Sequence, residues 1–213
     1  MIAIIDYGRG NLGSVEKAFE RLGLPATVTQ DPAIVDAARA VVLPGDGAFH
    51  DAMANLHSLG LLAAVRRALD GRRPFLGICL GYQLLFSTSE EFGEGCGLDV
   101  VPGVVRRFAP GRKIPHMGWN QVRHGGRLRL FEGVPEDAYF YFVHSYYPVL
   151  DDADGLGVAW CEYGMSFAAA IERGRICATQ FHPEKSQRWG LKLLENFAAM
   201  VRERPCRTEP GPS

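Results

Sequence analysis

The chain has 213 residues, which is enough for one large domain or two small ones with a real hydrophobic core. Hydrophobic residues make up 47% of it and charged residues 22%, a composition that excludes wholesale disorder. The net charge is −1 and no long basic run occurs, so nucleic acid is not an expected partner.

The apolar runs and the cysteines indicate in which compartment the protein is found. The longest apolar runs are far shorter than the ~18–20 residues of a membrane span, and the first residues lack the pattern of a signal peptide. The five cysteines are odd in number and form no CxxC pair, so neither a disulfide scaffold nor a metal site is expected. We therefore expect a cytoplasmic protein that binds no membrane and has at least one free thiol.

The first half of the chain alternates short apolar runs with amphipathic segments. Residues 2–6 predict a buried strand, and a helix follows Asn11, a potential N-cap, and ends at Gly23. Further strands are predicted at 41–43 and 75–79, and further helices at 48–56, 61–69 and 82–86. This alternation is typical of a parallel sheet with helices on both faces.

The second half is rich in Val, Tyr and Phe and is divided by turn signals, a pattern that predicts antiparallel strands. These strands are expected at 100–108, 121–124, 138–150, 157–162, 167–172 and 175–180. An amphipathic helix is predicted at 186–201. We expect a single domain over residues 1–203, followed by a disordered tail at 204–213 that contains three prolines.

The segment around Cys79 carries the strongest chemical signal. A predicted strand enters Gly77-Ile78-Cys79-Leu80-Gly81 and a predicted helix follows, which is the arrangement of a nucleophile elbow. The start of that helix favours a thiolate, and the Leu80 N–H would lie where an oxyanion develops. The alternative is a buried structural cysteine at the end of a strand.

A cysteine nucleophile needs a histidine and a group that orients it. His182 stands at the end of an apolar strand, Pro183 ends that strand, and Glu184 would project from the same side as His182 in an extended segment. Glu184 could therefore hold one imidazole nitrogen while the other faces the thiol. The alternative is a surface histidine in a turn.

A glycine-containing loop follows the strand at 41–43. Gly45, Asp46 and Gly47 lie at the carboxyl end of that strand, where parallel sheets place ligands, and a peptide N–H there could point into a neighbouring site. The alternative is an ordinary strand-to-helix loop.

Taken together, the segments 44–47, 77–83 and 182–184 resemble the motifs of the class I (triad-type) glutamine amidotransferases. Four further segments, 6–12, 114–120, 142–146 and 182–186, are similar to the glutaminase subunits of imidazole glycerol phosphate synthases. The match extends over about residues 2–200. The resemblance implies a flavodoxin-like three-layer α/β fold, with a mostly parallel central sheet and an added antiparallel portion in the second half.

The resemblance also implies a reaction without a cofactor. Cys79 would attack the carboxamide of L-glutamine and form a glutamyl thioester, while His182 carries protons and Glu184 orients it. The Leu80 N–H and, after reorientation, a peptide N–H within 45–47 would hold the oxyanion. The sequence departs from the family pattern at Asp46, where an apolar residue is frequent, and at Gly13, where Arg is.

Substrate and partner contacts are implied in the same way. Glutamine would be held by Gln83 and Glu91 and by the backbone of His144, Ser145 and Tyr146. Ammonia would pass to a cyclase subunit, a (β/α)₈ barrel that forms a heterodimer with this chain and makes imidazole glycerol phosphate and AICAR in histidine biosynthesis. The implied interface residues are Asn11, Trp119, Tyr141 and Lys185; the two aromatic residues could instead belong to the core.

Two other functions stay open at this point. The chain could be another amidotransferase or a cysteine hydrolase on the same fold, for instance the glutaminase of pyridoxal phosphate synthesis. It could also be a non-catalytic scaffold, which the presence of Cys79, His182 and Glu184 argues against.

Overall fold

The computed structural model describes residues 1–203, whose strands form two sheets. The strands are β1 (Ile2–Ile5), β2 (Ala26–Thr29), β3 (Ala40–Leu43), β4 (Phe75–Ile78), β5 (Phe86–Ser89), β6 (Gly95–Cys96), β7 (Val101–Arg107), β8 (His116–Arg123), β9 (Ala138–His144), β10 (Tyr146–Leu150), β11 (Gly157–Glu162), β12 (Ser166–Arg173) and β13 (Ile176–Thr179). The helices are α1 (Leu12–Arg21), α2 (Pro32–Ala37), α3 (Phe49–Ser58), α4 (Leu62–Ala68), α5 (Leu80–Gln83) and α6 (Gln187–Arg202). The tail predicted at 204–213 lies outside the described residues.

The larger sheet has nine strands in the order β2-β1-β3-β4-β13-β12-β11-β8-β9. Its first five strands pair in parallel, and each of β1, β3, β4 and β13 is buried along its whole length. Continuous burial follows because both faces are covered. One apolar cluster packs α1 and α6 against one face, and a second packs α2, α3 and α4 against the other.

The antiparallel part of the larger sheet continues from β13 through β12, β11, β8 and β9. The smaller sheet has four strands in the order β10-β7-β5-β6. The predicted fold class, an α/β sheet with an antiparallel portion in the second half of the chain, is confirmed. β13 joins the two parts, so the segment that leads to His182 emerges beside the carboxyl end of β4.

Several local predictions differ from the structure. The helix predicted at 82–86 is the four-residue α5, because Phe86 is buried and pairs with Val101 in the smaller sheet. The strand predicted at 138–150 is two strands that separate at Ser145, where the chain crosses between the sheets. Asn11 precedes α1 but its side chain makes no capping hydrogen bond. Four short elements, β2, α2, β5 and β6, are not predicted from the sequence, and β8 begins earlier than predicted.

Among residues 1–203, no helix combines the length and the apolar character that crossing a membrane would require.

Candidate active site

Cys79 lies in a sharp turn between β4 and α5. Its backbone has φ 54° and ψ −105°, a left-handed value that is strained for a residue with a side chain. Gly77 and Gly81 allow this turn: a Cβ on Gly77 would lie 2.8 Å from the Gly81 carbonyl oxygen, and one on Gly81 would overlap the carbonyl oxygen of Leu43. The elbow predicted from the sequence is therefore the observed backbone, and it sets Cys79 at the carboxyl end of the parallel sheet.

His182 and Glu184 form a buried pair. Nδ1 of His182 lies 2.9 Å from Oε1 of Glu184, and the two side chains are 7% and 1% exposed. The expected extended segment is absent, because Pro183–Lys185 forms a 3₁₀ turn that brings the carboxylate back to the ring. The contact is thus the predicted one, but the backbone that makes it is different.

The backbone of His182 is tied to β9. Its N–H donates to the carbonyl oxygen of Tyr141 at 2.9 Å, and its carbonyl oxygen accepts from the Ser186 hydroxyl at 2.6 Å. That hydroxyl also accepts from the Tyr141 N–H at 2.9 Å. The position of the imidazole is therefore coupled to the strand that carries Tyr141.

The charge of His182 depends on its two neighbours, Cys79 and Glu184. Burial opposes the imidazolium, yet a Cys79 thiolate and then Glu184 raise the pKa of His182 to about 10. Nε2 of His182 is buried and makes no hydrogen bond within residues 1–203. Because Glu184 holds Nδ1 of His182, Nε2 is the ring nitrogen that can give or take a proton. A thiolate on Cys79 and an imidazolium on His182 would stabilise each other.

Two glutamine side chains connect the elbow to its surroundings. Nε2 of Gln83 donates to the Tyr146 carbonyl oxygen at 2.9 Å and to Oε1 of Gln180 at 3.0 Å. Nε2 of Gln180 in turn lies 3.8 Å from the Cys79 sulfur. Sequence reasoning missed Gln180, although alternation along an extended strand places it on the same side as His182, two residues later.

His144 and His116 form a buried chain of hydrogen bonds. Nδ1 of His144 lies 2.8 Å from the Tyr146 carbonyl oxygen, which only accepts, so Nδ1 carries the proton and Nε2 accepts from Nδ1 of His116 at 3.0 Å. Nε2 of His116 then accepts from Asn120 at 3.2 Å. Burial lowers the pKa of His144 to about 3 and that of His116 to about 4, so both rings are neutral at pH 7.

Glu91 is a buried carboxylate at the same site. Its Oε2 accepts from the Phe49 N–H at 2.7 Å, at the first turn of α3. Burial raises its pKa, and the hydrogen bond from Phe49 opposes that rise. A carboxylate in this position attracts a cationic group to offset its burial.

The loop after β3 is in contact with the elbow and with the loop after β1. The Leu80 N–H donates to the Gly45 carbonyl oxygen at 3.5 Å, and Oδ1 of Asp46 accepts from the Gly10 N–H at 3.1 Å. The Tyr7 hydroxyl is buried beneath Gly45, where a Cβ would overlap it. Two loops therefore hold the 45–47 segment in its present conformation.

An open cavity of 770 Å³ gathers most of the predicted site residues. Its lining includes Asn11, Asp46, Gly47, Cys79, Leu80, Gln83, Glu91, His144, Ser145, Tyr146, His182 and Lys185. It also includes Phe92, Arg107, Pro115 and Val143, which sequence reasoning missed. Gly45 and Glu184 are not part of this lining, but they contact two residues that are, Leu80 and His182.

Two predicted interface residues lie elsewhere. Trp119 is 45% exposed, which excludes a core position, and it lines a separate depression of 240 Å³ with Tyr139 and the start of α6. Tyr141 is half-buried beside Trp119, with ring centroids 6.1 Å apart. Within the described part of the chain, no group of three or more His, Cys, Asp or Glu side chains could hold a metal ion.

Comparison with known proteins gives the class. The family model for glutamine amidotransferase class-I matches residues 3–201. A crystal structure of a glutamine amidotransferase shares the fold with a TM-score of 0.71 and 21% identity, over 94% of this chain and 99% of its own. A glutamine amidotransferase from Thermotoga maritima has a TM-score of 0.69, with 18% identity over 95% of this chain and 98% of its own. The fold and the family model together define a class I glutamine amidotransferase.

The curated relatives are closer. The imidazole glycerol phosphate synthase subunit HisH of Moorella thermoacetica is 56% identical over 94% of this chain and 95% of its own length. That of Methanothermobacter thermautotrophicus is 53% identical over 95% of this chain and 100% of its own. Within the class I glutamine amidotransferases, the chain belongs to the HisH family. The resemblance seen in the sequence is confirmed.

Proposed function

We propose that the chain is the glutaminase subunit of an imidazole glycerol phosphate synthase. It would hydrolyse L-glutamine to glutamate and ammonia and deliver the ammonia for histidine biosynthesis. The observation that carries the proposal is the placement of Cys79 and His182 at one cavity, with Glu184 2.9 Å behind the imidazole. The HisH relatives support the particular synthase. Residues 1–203 would act as a single domain, since one sheet contains strands from both halves.

In the proposed reaction the Cys79 thiolate attacks the carboxamide carbon of glutamine. Imidazolium His182 gives its Nε2 proton to the leaving nitrogen, the C–N bond breaks, and ammonia and a glutamyl thioester result. Neutral His182 then takes a proton from water, which attacks the thioester and releases glutamate. This step restores the thiolate and the imidazolium. Glu184 keeps the ring oriented and stabilises its charge throughout.

The oxyanion of each tetrahedral intermediate would be held by the Leu80 N–H and by a peptide N–H of the 45–47 segment. The Leu80 N–H is occupied by the Gly45 carbonyl oxygen at 3.5 Å. That carbonyl would repel an oxyanion, so the peptide must turn before the reaction is fast. This requirement supports a glutaminase that is slow alone and is stimulated by a partner.

Glutamine recognition in the proposal uses the polar groups of the cavity. Gln83 and Glu91 would bind the α-amino end, since Glu91 offers a carboxylate to an ammonium group and both side chains line the cavity. The backbone of His144, Ser145 and Tyr146 would bind the rest of the amino acid. These residues lie where the chain crosses between the two sheets, so part of their backbone is not paired with a neighbouring strand.

The proposed partner is a cyclase subunit with a (β/α)₈ barrel, in a heterodimer. Asn11, Trp119, Tyr141 and Lys185 would contact it. Asn11 and Lys185 lie at the cavity, while Trp119 and Tyr141 form an aromatic pair, one exposed and one half-buried, of the kind enriched in interfaces. We place the protein in the cytoplasm, which the free thiols of the four described cysteines support.

The decisive experiment is a glutaminase assay with and without the nucleotide-bound cyclase subunit. We expect slow hydrolysis alone and strong stimulation in the complex. Hydrolysis that is fast alone and indifferent to the cyclase would contradict the proposal. Recovery of a different synthase subunit in a pull-down would favour another amidotransferase.

A Cys79→Ala variant tests the division of labour. Glutamine-dependent synthesis by the complex should fall by several orders of magnitude, whereas ammonia-dependent synthesis should persist. Cys96→Ala is the matched control, because Cys96 is an exposed thiol. If ammonia also fails to support synthesis with Cys79→Ala, the chain does more than supply ammonia. Labelling of Cys79 by a glutamine-derived electrophile would exclude the non-catalytic scaffold.

A further inference from the structure

Gln180 is a fully buried amide beside the proposed nucleophile. It directly follows β13 and has an exposed fraction of 0%, and its backbone N–H donates to the Ala169 carbonyl oxygen at 2.8 Å. A buried amide must find partners for its polar atoms, or its burial destabilises the fold. The partners that Gln180 finds are two side chains of the candidate active site.

The hydrogen bonds determine which way each amide points. The Tyr146 carbonyl oxygen can only accept, so the atom of Gln83 that lies 2.9 Å from it is the nitrogen. That nitrogen is also 3.0 Å from Gln180, whose facing atom must be the oxygen. The nitrogen of Gln180 is therefore the atom 3.8 Å from the Cys79 sulfur.

The two ends of the Gln180 amide have different consequences. At the sulfur, the side-chain N–H of Gln180 stabilises a negative charge. The carbonyl oxygen of Val143, 4.0 Å from Sγ, has the opposite effect. At Gln83, its oxygen engages the second N–H of that amide. Both donors of Gln83 are then used within the protein, and its oxygen is left as an acceptor for a donor group in the cavity.

We propose that Gln180 is a positioning residue that stabilises the Cys79 thiolate through its N–H and fixes the Gln83 oxygen towards the substrate ammonium. The inference rests on the proposed glutaminase function and deepens it. One buried side chain would then both activate the nucleophile and orient a residue that contacts the substrate. A glutamine that only filled space or satisfied the fold would leave the reactivity of the sulfur unchanged when replaced.

The test measures the sulfur directly, in the full chain and without glutamine. Gln180→Met keeps the length of the side chain and removes its donor and its acceptor. The rate of Cys79 alkylation by iodoacetamide is followed against pH by mass spectrometry of the Cys79 peptide, because Cys96 also reacts. We expect the midpoint of this profile to rise by about one pH unit, so that alkylation becomes about tenfold slower at pH values below the midpoint of the unmodified chain.

Thr179→Val is the matched control. The Thr179 hydroxyl is also fully buried and donates to the Phe181 carbonyl oxygen at 2.9 Å, but within residues 1–203 it makes no hydrogen bond to the sulfur. Both variants should lower the melting temperature, and only Gln180→Met should move the alkylation profile. A wild-type profile in Gln180→Met would overturn the proposal. Since alkylation needs no glutaminase activity, this result is separate from any failure of the proposed function.

Gln180→Glu gives a second test, which can be carried out even if the Gln180→Met variant does not fold. The carboxyl group retains an oxygen for Gln83 and places a titrating group beside the sulfur. Two ionisable groups in contact titrate together, so the alkylation profile should gain a step that the unmodified chain lacks. A profile identical to that of the unmodified chain would show that residue 180 does not act on Cys79. With glutamine, the KM of both variants should rise as the Gln83 amide loses its fixed orientation.

Discussion

The backbone N–H of Leu80 donates to the carbonyl oxygen of Gly45 at 3.5 Å, across the gap between the elbow and the loop after β3. A donor proposed for the oxyanion is thus used within the protein before substrate arrives. Because the bond is long, it is easily exchanged for a better acceptor. The conformation of the 45–47 loop is therefore a natural point of control over the reaction.

Asp46→Val should raise the glutaminase activity of the chain alone. The Asp46 carboxylate accepts from the Gly10 N–H at 3.1 Å and holds the loop in its present conformation. One exposed hydrogen bond stabilises by about 0.5–1.5 kcal/mol, so its loss should raise the rate about two- to tenfold. A glutaminase assay without partner measures this.

Asp51→Asn is the control for that prediction. Asp51 is also an acidic residue near the loop, but its partner is the Arg9 side chain at 3.6 Å, and within residues 1–203 it makes no hydrogen bond to residues 45–47. Its replacement should leave the rate unchanged. An Asp46→Val rate at or below that of the unmodified chain would show that the contact with Gly10 does not restrain the loop.

Glu184→Gln should lower activity most strongly at alkaline pH. The Cys79 thiolate and Glu184 raise the pKa of His182 to about 10 against burial, so the variant loses part of that rise. The alkaline limb of kcat/KM against pH should move to lower pH, and the rate at pH 7 should fall about 10²-fold or more. Glu195→Gln, an exposed carboxylate on α6, should change neither.

The same variant has a signature in stability. A histidine whose folded pKa is raised stabilises the fold fully below its unfolded pKa of about 6.5, and this contribution disappears as pH rises through the folded value. The loss of unfolding free energy in Glu184→Gln should therefore be largest below pH 6.5 and shrink towards pH 10. Urea denaturation across pH measures it, and a difference that grows with pH would contradict the assignment.

The buried His116–His144 chain predicts acid instability. Burial lowers the two pKa values to about 4 and 3, whereas the unfolded rings titrate near about 6.5. The unfolded state binds these protons first, so stability is present above pH 6.5 and is lost as pH falls towards 4. Each ring contributes up to about 1.4 kcal/mol per pH unit.

His116→Asn should reduce the slope of the unfolding free energy against pH by up to the contribution of one proton, about 1.4 kcal/mol per pH unit. This expectation does not depend on how the variant changes stability at pH 7. Denaturant unfolding between pH 6.5 and 4.5 gives the slope. His57→Asn, at an exposed position of α3, should leave it unchanged. An equal slope in His116→Asn and the parent chain would show that His116 is not held neutral by burial.

Tyr7→Phe should stabilise the fold or leave it unchanged. The Tyr7 hydroxyl is buried and has no hydrogen-bond partner within residues 1–203, so its removal relieves an unsatisfied group worth about 1 kcal/mol. Tyr82→Phe is the opposite case, because the buried Tyr82 hydroxyl donates to the Ala168 carbonyl oxygen at 3.1 Å. Thermal unfolding should rank Tyr7→Phe above Tyr82→Phe, and the reverse order would mean that the Tyr7 hydroxyl has a partner.

The sequence by itself determined the parallel sheet, because buried strands such as β1 and β3 are continuous apolar runs that no exposed segment would carry. It also determined the elbow, since only glycine fits at 77 and 81 beside a strained cysteine. Both features depend on residues that are neighbours in the sequence. The elements missed, such as β2 and β5, are short and half-exposed, so their apolar pattern is weak.

Only the tertiary structure decided how distant segments meet. The neutral state of His116 and His144 depends on burial, and Gln180 reaches the Cys79 sulfur because β13 pairs with β4. Hydrogen-bond partners and desolvation arise from residues far apart in the chain. Their geometry follows from packing, which no local pattern encodes.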